Sequence, residues 1–487
     1  MISAVLGLIG MIFLTRYLGK DILGTVTYTM ALVATFNCIA DLGFNAAYIK
    51  RVTEGVDRDD AFSTFIVVKL VLMALMVVVT ISSILLATMV FQVKMVDISF
   101  DLILLFILYY IFYDLASIAT TTFDSQMKTA KTQVTVLIDI VIRLPLIVMV
   151  ALLSYGVIEL AYTYVIGGLA VVVVAFVLIG REHMKFKKPT MFRSFLSFAL
   201  PLTIYTVVSA IWANLNVIII GFFSTTIEVA YYGYSLSVIN ILIMTGTSVG
   251  VLLFPAFSKL HSEGDMGQIR AMTWKSERYL SMIALPAAIL IALFPFEVAK
   301  IVLGAAFEPA GAALRYLAIG AAFSVVNYGY YIQLNSVNRS DLVAKLTISM
   351  FLLNTALLFF LVPESLFGIK MAGLSFVGAA MASLIVTICG AAFVRKMVKG
   401  LTGTSSNAKI LIHIISAELT GIVLVLLSYV WTVGHWYDLL FFAAVALGSN
   451  IGMLALMKEF VKEDLDYLKE VINMKEMKNY IVEELKN

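Results

Sequence analysis

The sequence is poor in charge. Only 13% of its 487 residues are Asp, Glu, Lys or Arg, against about 25% in soluble domains. That shortage excludes a soluble enzyme, a nucleic-acid binder and a disordered chain. Cysteine is scarce too: Cys38 and Cys389 each sit inside an apolar run, so neither a disulfide framework nor a cysteine metal site is expected. The four histidines, His183, His261, His413 and His435, show no ligand spacing. No phosphate-binding loop, H-E-x-x-H or nucleophile elbow occurs. No loop is large enough to hold the acceptor of a membrane-bound transferase or polymerase, so an enzyme is not expected and transport is the default. No basic segment precedes the first apolar run, Met1 to Leu14. That run is therefore read as a span clipped at its start rather than a cleavable signal.

What the sequence has is apolar length. The apolar set makes up 61% of the chain, the mean hydropathy is +1.00, and runs such as Ile66 to Val90 exceed the roughly 20 residues that cross a bilayer. Hydropathy and breakers place fourteen spans, at 1–15, 23–47, 61–91, 99–122, 132–153, 157–180, 195–224, 227–257, 279–303, 308–336, 342–362, 370–395, 408–432 and 437–457. The expected fold is an all-α integral membrane protein. With the N-terminus inside, 26 of the 34 Lys and Arg fall on the cytoplasmic side and five outside. The positive-inside rule then puts both termini in the cytoplasm of a plasma-membrane protein.

The chain also repeats itself. Asn335-Ser336-Val337-Asn338-Arg339-Ser340 follows span ten as Asp124-Ser125-Gln126-Met127-Lys128-Thr129 follows span four, and Glu263-Gly264 follows span eight as Glu54-Gly55 follows span two. The near-constant offset predicts two six-helix lobes in parallel repeat, with two further C-terminal helices. The expected divisions are an N-terminal lobe over 1–180, a cytoplasmic linker over 181–194, a C-terminal lobe over 195–396, spans thirteen and fourteen over 408–457, and a tail over 458–487. In the tail, Val461, Leu465, Leu468 and Ile472 recur at helical spacing among charges. This is the pattern of an amphipathic surface helix, with docking of polysaccharide-assembly proteins as an alternative role.

Seven ionisable residues stand inside spans: Asp41, Lys69, Asp114, Asp139, Arg143, Arg315 and Glu418. Each costs about 2.5–3.5 kcal/mol at the bilayer centre if lipid faces it, so they must meet a wet cavity, pair, or snorkel. Lys69 and Arg315 lie near enough to span ends to snorkel. Asp139 and Arg143 are four apart and can neutralise each other. Polar stripes accompany them: Tyr110, Asp114, Ser117 and Thr121 in span four; Tyr205, Ser209, Trp212 and Asn216 in span seven; Ser324, Asn327, Tyr331 and Asn335 in span ten. Such stripes glue helices together; three of them with aromatics and midplane charges point instead to one shared cavity. Aromatic and amide side chains suit sugars, while Arg143, Arg315 and Lys69 suit phosphate.

The motifs Leu14-Thr15-Arg16-Tyr17-Leu18-Gly19-Lys20-Asp21-Ile22-Leu23-Gly24, Ala40-Asp41-Leu42-Gly43-Phe44 with Lys50-Arg51 behind it, Phe198-Ala199-Leu200-Pro201, and Val302-Leu303-Gly304 with Asn338-Arg339 carry a resemblance over residues 1 to about 457. The chain resembles the polysaccharide transporter, O-antigen-flippase-like branch of the multidrug/oligosaccharidyl-lipid/polysaccharide exporter superfamily. The resemblance implies two lobes around a cavity open to one side at a time. It also implies movement of a polyprenyl-linked sugar without a cofactor, driven by H+ or Na+, with lipids and a lipid-linked oligosaccharide as partners and no nucleic acid. Family cavity charges carry over to Asp41 and, more weakly, to Arg16. A small-molecule or drug antiporter of the same superfamily stands as the alternative.

Overall fold

The computed structural model describes residues 2–89, 99–180, 185–336 and 339–460. The amphipathic tail beyond residue 460, Lys94, the linker's first residues 181–184 and Asn338 of the repeat lie outside the described residues. The helices are α1 (Ile2–Tyr17), α2 (Lys20–Asn37), α3 (Phe44–Thr53), α4 (Arg58–Met89), α5 (Phe100–Ser125), α6 (Thr129–Leu152), α7 (Val157–Gly180), α8 (Phe192–Phe223) and α9 (Thr226–Glu263). They continue as α10 (Met266–Leu293), α11 (Pro295–Leu303), α12 (Gly311–Val326), α13 (Tyr328–Ser336), α14 (Ser340–Leu361), α15 (Ser375–Thr402), α16 (Ile410–Ser428) and α17 (Trp436–Leu456). A two-stranded hairpin, β1 (Ser365–Leu366) against β2 (Ile369–Lys370), precedes α15. Among the described residues thirteen helical segments are long and apolar enough to cross a membrane, and Leu6–Tyr17 in α1 is a shorter apolar helix. The chain is a multi-pass membrane protein.

Helix ends follow local chemistry. Thr225 and Glu228 form a reciprocal cap that starts α9, satisfying two backbone donors the helix cannot pair itself. Pro295 opens α11, where its missing N–H costs nothing. Gly55 behind α3 and Gly264 behind α9 both stand in the left-handed region, at φ 85° and 75°, which glycine enters without a Cβ penalty. The repeated Glu-Gly pair thus closes equivalent helices in the two lobes.

Three expected spans are interrupted. Span two ends at Asn37, passes through a 3-10 turn at Cys38–Ala40 and restarts as α3, so Asp41 lies in a break and not inside a continuous helix. Proline separates α10 from α11, and Asn327 separates α12 from α13.

α1–α7 pack as one lobe and α8–α15 as the other, with α16 and α17 laid against α10. The lobes meet chiefly along α2, which packs on α8 and α9. At the end holding the α1–α2 and α8–α9 turns the approach is close: a Cβ on Gly24 would stand 1.8 Å from the Thr226 carbonyl oxygen. Lys20 Nζ also donates to Tyr231 Oη across that seam at 2.9 Å. At the opposite end, Phe195 of α8 packs with Tyr48 and Phe65, so the first turns of α8 share the core of the N-terminal lobe.

The linker's second half is strapped over the start of α4. Backbone N–H groups of Lys185, Lys187, Thr190 and Met191 donate to Asp59, Ser63, Asp60 and Thr64, and Lys187 Nζ lies 2.7 Å from Asp57. The Lys187 hydrogen bond, then the backbone N–H groups of Asp59 and Asp60, hold the Asp57 carboxyl below the usual carboxylate range. A depressed carboxyl favours the fold above its ordinary pKa, and that contribution is lost as pH falls through the depressed value. Asp59→Ala with Asp60→Ala should therefore expose Lys185 and Lys187 to trypsin, raising cleavage roughly tenfold or more, because proteolysis follows local opening. An unchanged cleavage rate at neutral pH would show that the strap is held by something else.

Candidate functional site

Below the α2–α9 seam these two helices part, and with α1, α6 and α7 they line a cavity of about 390 Å³. Its wall carries Thr27, Arg143, Tyr164, Tyr234, Ser237 and Asn240 among glycines and aliphatic side chains. Among the described residues Arg143 is the one charged side chain in that wall. Its Nη2 lies 2.8 Å from Asp139 Oδ2, one turn back on α6, and its guanidinium sits 4.6 Å from the centre of the Tyr164 ring. Nε has no hydrogen-bond acceptor, and neither has Asp139 Oδ1 a donor. Gly167 makes room for the pair, since a Cβ there would come 2.6 Å from Asp139 Oδ1. The cation is fixed by a carboxylate and an aromatic face, its Nε is buried without a partner among the described residues, and the side chain keeps 17% exposure at the cavity.

Lys69 and Asp114 belong to a second, buried cluster inside the N-terminal lobe. Lys69 is fully buried, so it does not snorkel. Its Nζ donates to Asp114 Oδ1 at 3.2 Å and to the Ala40 carbonyl at 3.0 Å. That carbonyl is exposed to pairing by the break after α2, so one ammonium satisfies both the broken helix and the buried carboxylate. Asp41, half-buried beside it, accepts the Asn45 N–H at 2.9 Å and starts α3. Tyr110 packs edge-on to Tyr109, and Ser117 donates back to the Asp114 carbonyl. The α5 stripe thus faces the lobe interior.

The other stripes also separate. Asn216 donates to Tyr232 Oη at 2.5 Å and Ser383 Oγ at 2.8 Å and accepts from Asn354 Nδ2 at 2.9 Å, knotting α8, α9, α14 and α15. Trp212 and Tyr331 line a small cavity of about 100 Å³ between α8, α13 and α14. Asn327 donates to the Phe323 carbonyl at the α12–α13 break and accepts from Arg395 Nε at 2.5 Å. Arg395 also pairs with Glu277, to which Tyr330 Oη donates at 3.0 Å. Glu277 and Arg395 were not singled out in the sequence because hydropathy starts span nine at 279 and stops span twelve at 395. The helices run further, and within them Glu277 is buried and Arg395 half-buried.

Two expected pathway residues face away from the cavity. Arg315 is exposed on α12, 5.9 Å from the Phe296 ring centre. Glu418 is exposed near the middle of α16, between Ile414, Ile415 and Ile422. The three stripes therefore do not share the cavity that holds Arg143; among the described residues they lie in several separate packed polar clusters. Glu418→Gln should leave transport within about twofold of the parent, because no described residue ties that carboxylate to the cavity. A tenfold loss in a transport assay, at equal protein in the membrane, would place Glu418 on the pathway after all.

Residues 13–312 match the family described as polysaccharide biosynthesis protein. The chain is 27% identical over 391 residues to the probable low-salt glycan biosynthesis flippase Agl15 of Haloferax volcanii, covering 79% of this chain and 78% of that protein. It is 28% identical over 183 residues to an uncharacterised membrane protein of Methanocaldococcus jannaschii, covering 37% of this chain and 36% of that one. In three dimensions it resembles the lipid II flippase MurJ in an inward closed conformation, with a TM-score of 0.76 and 14% identity over 94% of this chain and 97% of that one. It also resembles an inward-facing multidrug resistance MATE family transporter of the MOP superfamily, with a TM-score of 0.65 and 14% identity over 83% and 96%. At that identity the structural likeness establishes the two-lobed fold.

Proposed function

The chain belongs to the polysaccharide biosynthesis protein family, and on that footing we propose that it is a flippase. Its cargo is a lipid-linked oligosaccharide, a precursor of cell-surface polysaccharide, carried across the cytoplasmic membrane. The observation that carries this reading is Arg143: a partly exposed guanidinium in the wall of the inter-lobe cavity, among tyrosines, hydroxyls and an amide. Arginine meets phosphate as a fork, and the neutral polar groups suit sugar hydroxyls. The glycan-flippase description of the Haloferax volcanii relative supports the cargo class. With both termini cytoplasmic, as the basic residues indicate, the Gly24–Thr226 seam closes the outer end. Alternating access then separates that seam and closes the inner end, driven by an H+ or Na+ gradient for which Asp41 and Asp114 are the candidate carboxylates.

The test is reconstitution. The purified protein in vesicles should move a fluorescent lipid-linked oligosaccharide between leaflets, read as loss of protection from a membrane-impermeant quencher. Movement no faster than in protein-free vesicles would sink the proposal. Export of an organic cation in place of the glycan would make the chain a drug antiporter.

A further inference from the structure

The charge count of the cavity narrows the cargo. We infer that the cargo's lipid and glycan are joined through a single phosphate and not a diphosphate, an inference that rests on the flippase reading above. Among the described residues the wall contains one cation, Arg143, and the carboxylate of Asp139 lies 2.8 Å behind it. Together they sum to zero. Thr27, Tyr164, Tyr234, Ser237 and Asn240 are neutral.

A phosphodiester link carries one negative charge and a diphosphate link carries two. The first can lie against the part of the Arg143 guanidinium that reaches the cavity, the side chain being 17% exposed, and share the cation with Asp139. The neutral hydroxyl and amide donors then complete its shell. The second brings another anionic group for which the wall holds no cation. A charge taken from water without a partner costs several kcal/mol, and neutral donors recover only part of it. Lys20, the nearest basic residue at the seam, is occupied by Tyr231 and is not in the wall.

Three probes with one neutral oligosaccharide and one short polyprenyl chain separate the possibilities: an uncharged glycoside, a monophosphate and a diphosphate. In vesicles the monophosphate should cross about tenfold or more faster than either of the others. In detergent it should raise the unfolding temperature of the wild-type protein and not that of Arg143→Gln. Adding a second cation to the wall, Asn240→Lys, should move the preference toward the diphosphate. Equal or faster crossing of the diphosphate by the wild-type protein would overturn the inference and leave the flippase reading standing. Selective binding of the monophosphate with no transfer of any probe would keep the cargo class and overturn the flippase reading.

Discussion

Arg143→Gln should move its cargo roughly 10- to 100-fold more slowly per molecule of protein in the membrane, and should also lower the amount recovered, because it strands the buried Asp139 carboxylate. The range is that of a charge-assisted hydrogen bond, about 1.5–3 kcal/mol, expressed as a rate. The competing explanation is that Arg143 serves only to neutralise Asp139, since the two lie 2.8 Å apart on successive turns of α6. The double variant Asp139→Asn with Arg143→Gln separates the two. A purely structural pair tolerates joint neutralisation, because no lone charge stays buried. A cargo ligand does not, because the cation is itself the contact. Arg143→Lys should retain intermediate activity, having the charge without the fork. Pro145 lies one half-turn further on, where its missing N–H loosens the helix beside the site. Full transport by the double variant would make Arg143 structural and withdraw the basis of the proposed function.

How much of this could be read from the sequence depends on the range of the interaction. The spans could be read, because a bilayer demands apolar length and the chain supplies it in runs. The Asp139–Arg143 pair could be read too, since four residues on a helix set the neighbour. The breaks were hidden. Asp41 is flanked by apolar residues on both sides, and averaging over a bilayer-length window erases a three-residue turn. The local signal was Asp41-Leu42-Gly43, an Asx residue followed by a glycine that takes φ 89°. Asn327 before Tyr328-Gly329 at the α12–α13 break is a similar case. The long-range partners had no local signal. Lys69 and Asp114 are 45 positions apart and Glu277 and Arg395 are 118 apart. Periodicity places each on a helix face and leaves the opposite helix unknown. Polar stripes had the same ambiguity: helix glue and cavity lining use the same residue types at the same spacing.

The largest effect on stability is expected at Lys69. Lys69→Met should destabilise the N-terminal lobe by about 3–5 kcal/mol, the cost of leaving a buried carboxylate without its partner. The fully buried ammonium bonds both Asp114 Oδ1 and the Ala40 carbonyl, so its removal strands an anion and the end of a broken helix together. The expected reading is a sharp fall in protein recovered from the membrane and in unfolding temperature in detergent. Lys69→Met with Asp114→Leu should restore most of the loss, since a neutral apolar pair leaves no buried charge. The Ala40 carbonyl keeps its unmet acceptor, about 1–3 kcal/mol, so recovery should be incomplete. The two single variants also separate structure from transport. Asp114→Asn keeps a polar partner for Lys69 and removes the titrating group. If it folds normally and transport stops responding to the ion gradient, Asp114 takes part in coupling. If it folds and transports like the parent, the Lys69–Asp114 pair is a buried tie that holds α4 and α5 to the break in span two, and coupling falls to Asp41.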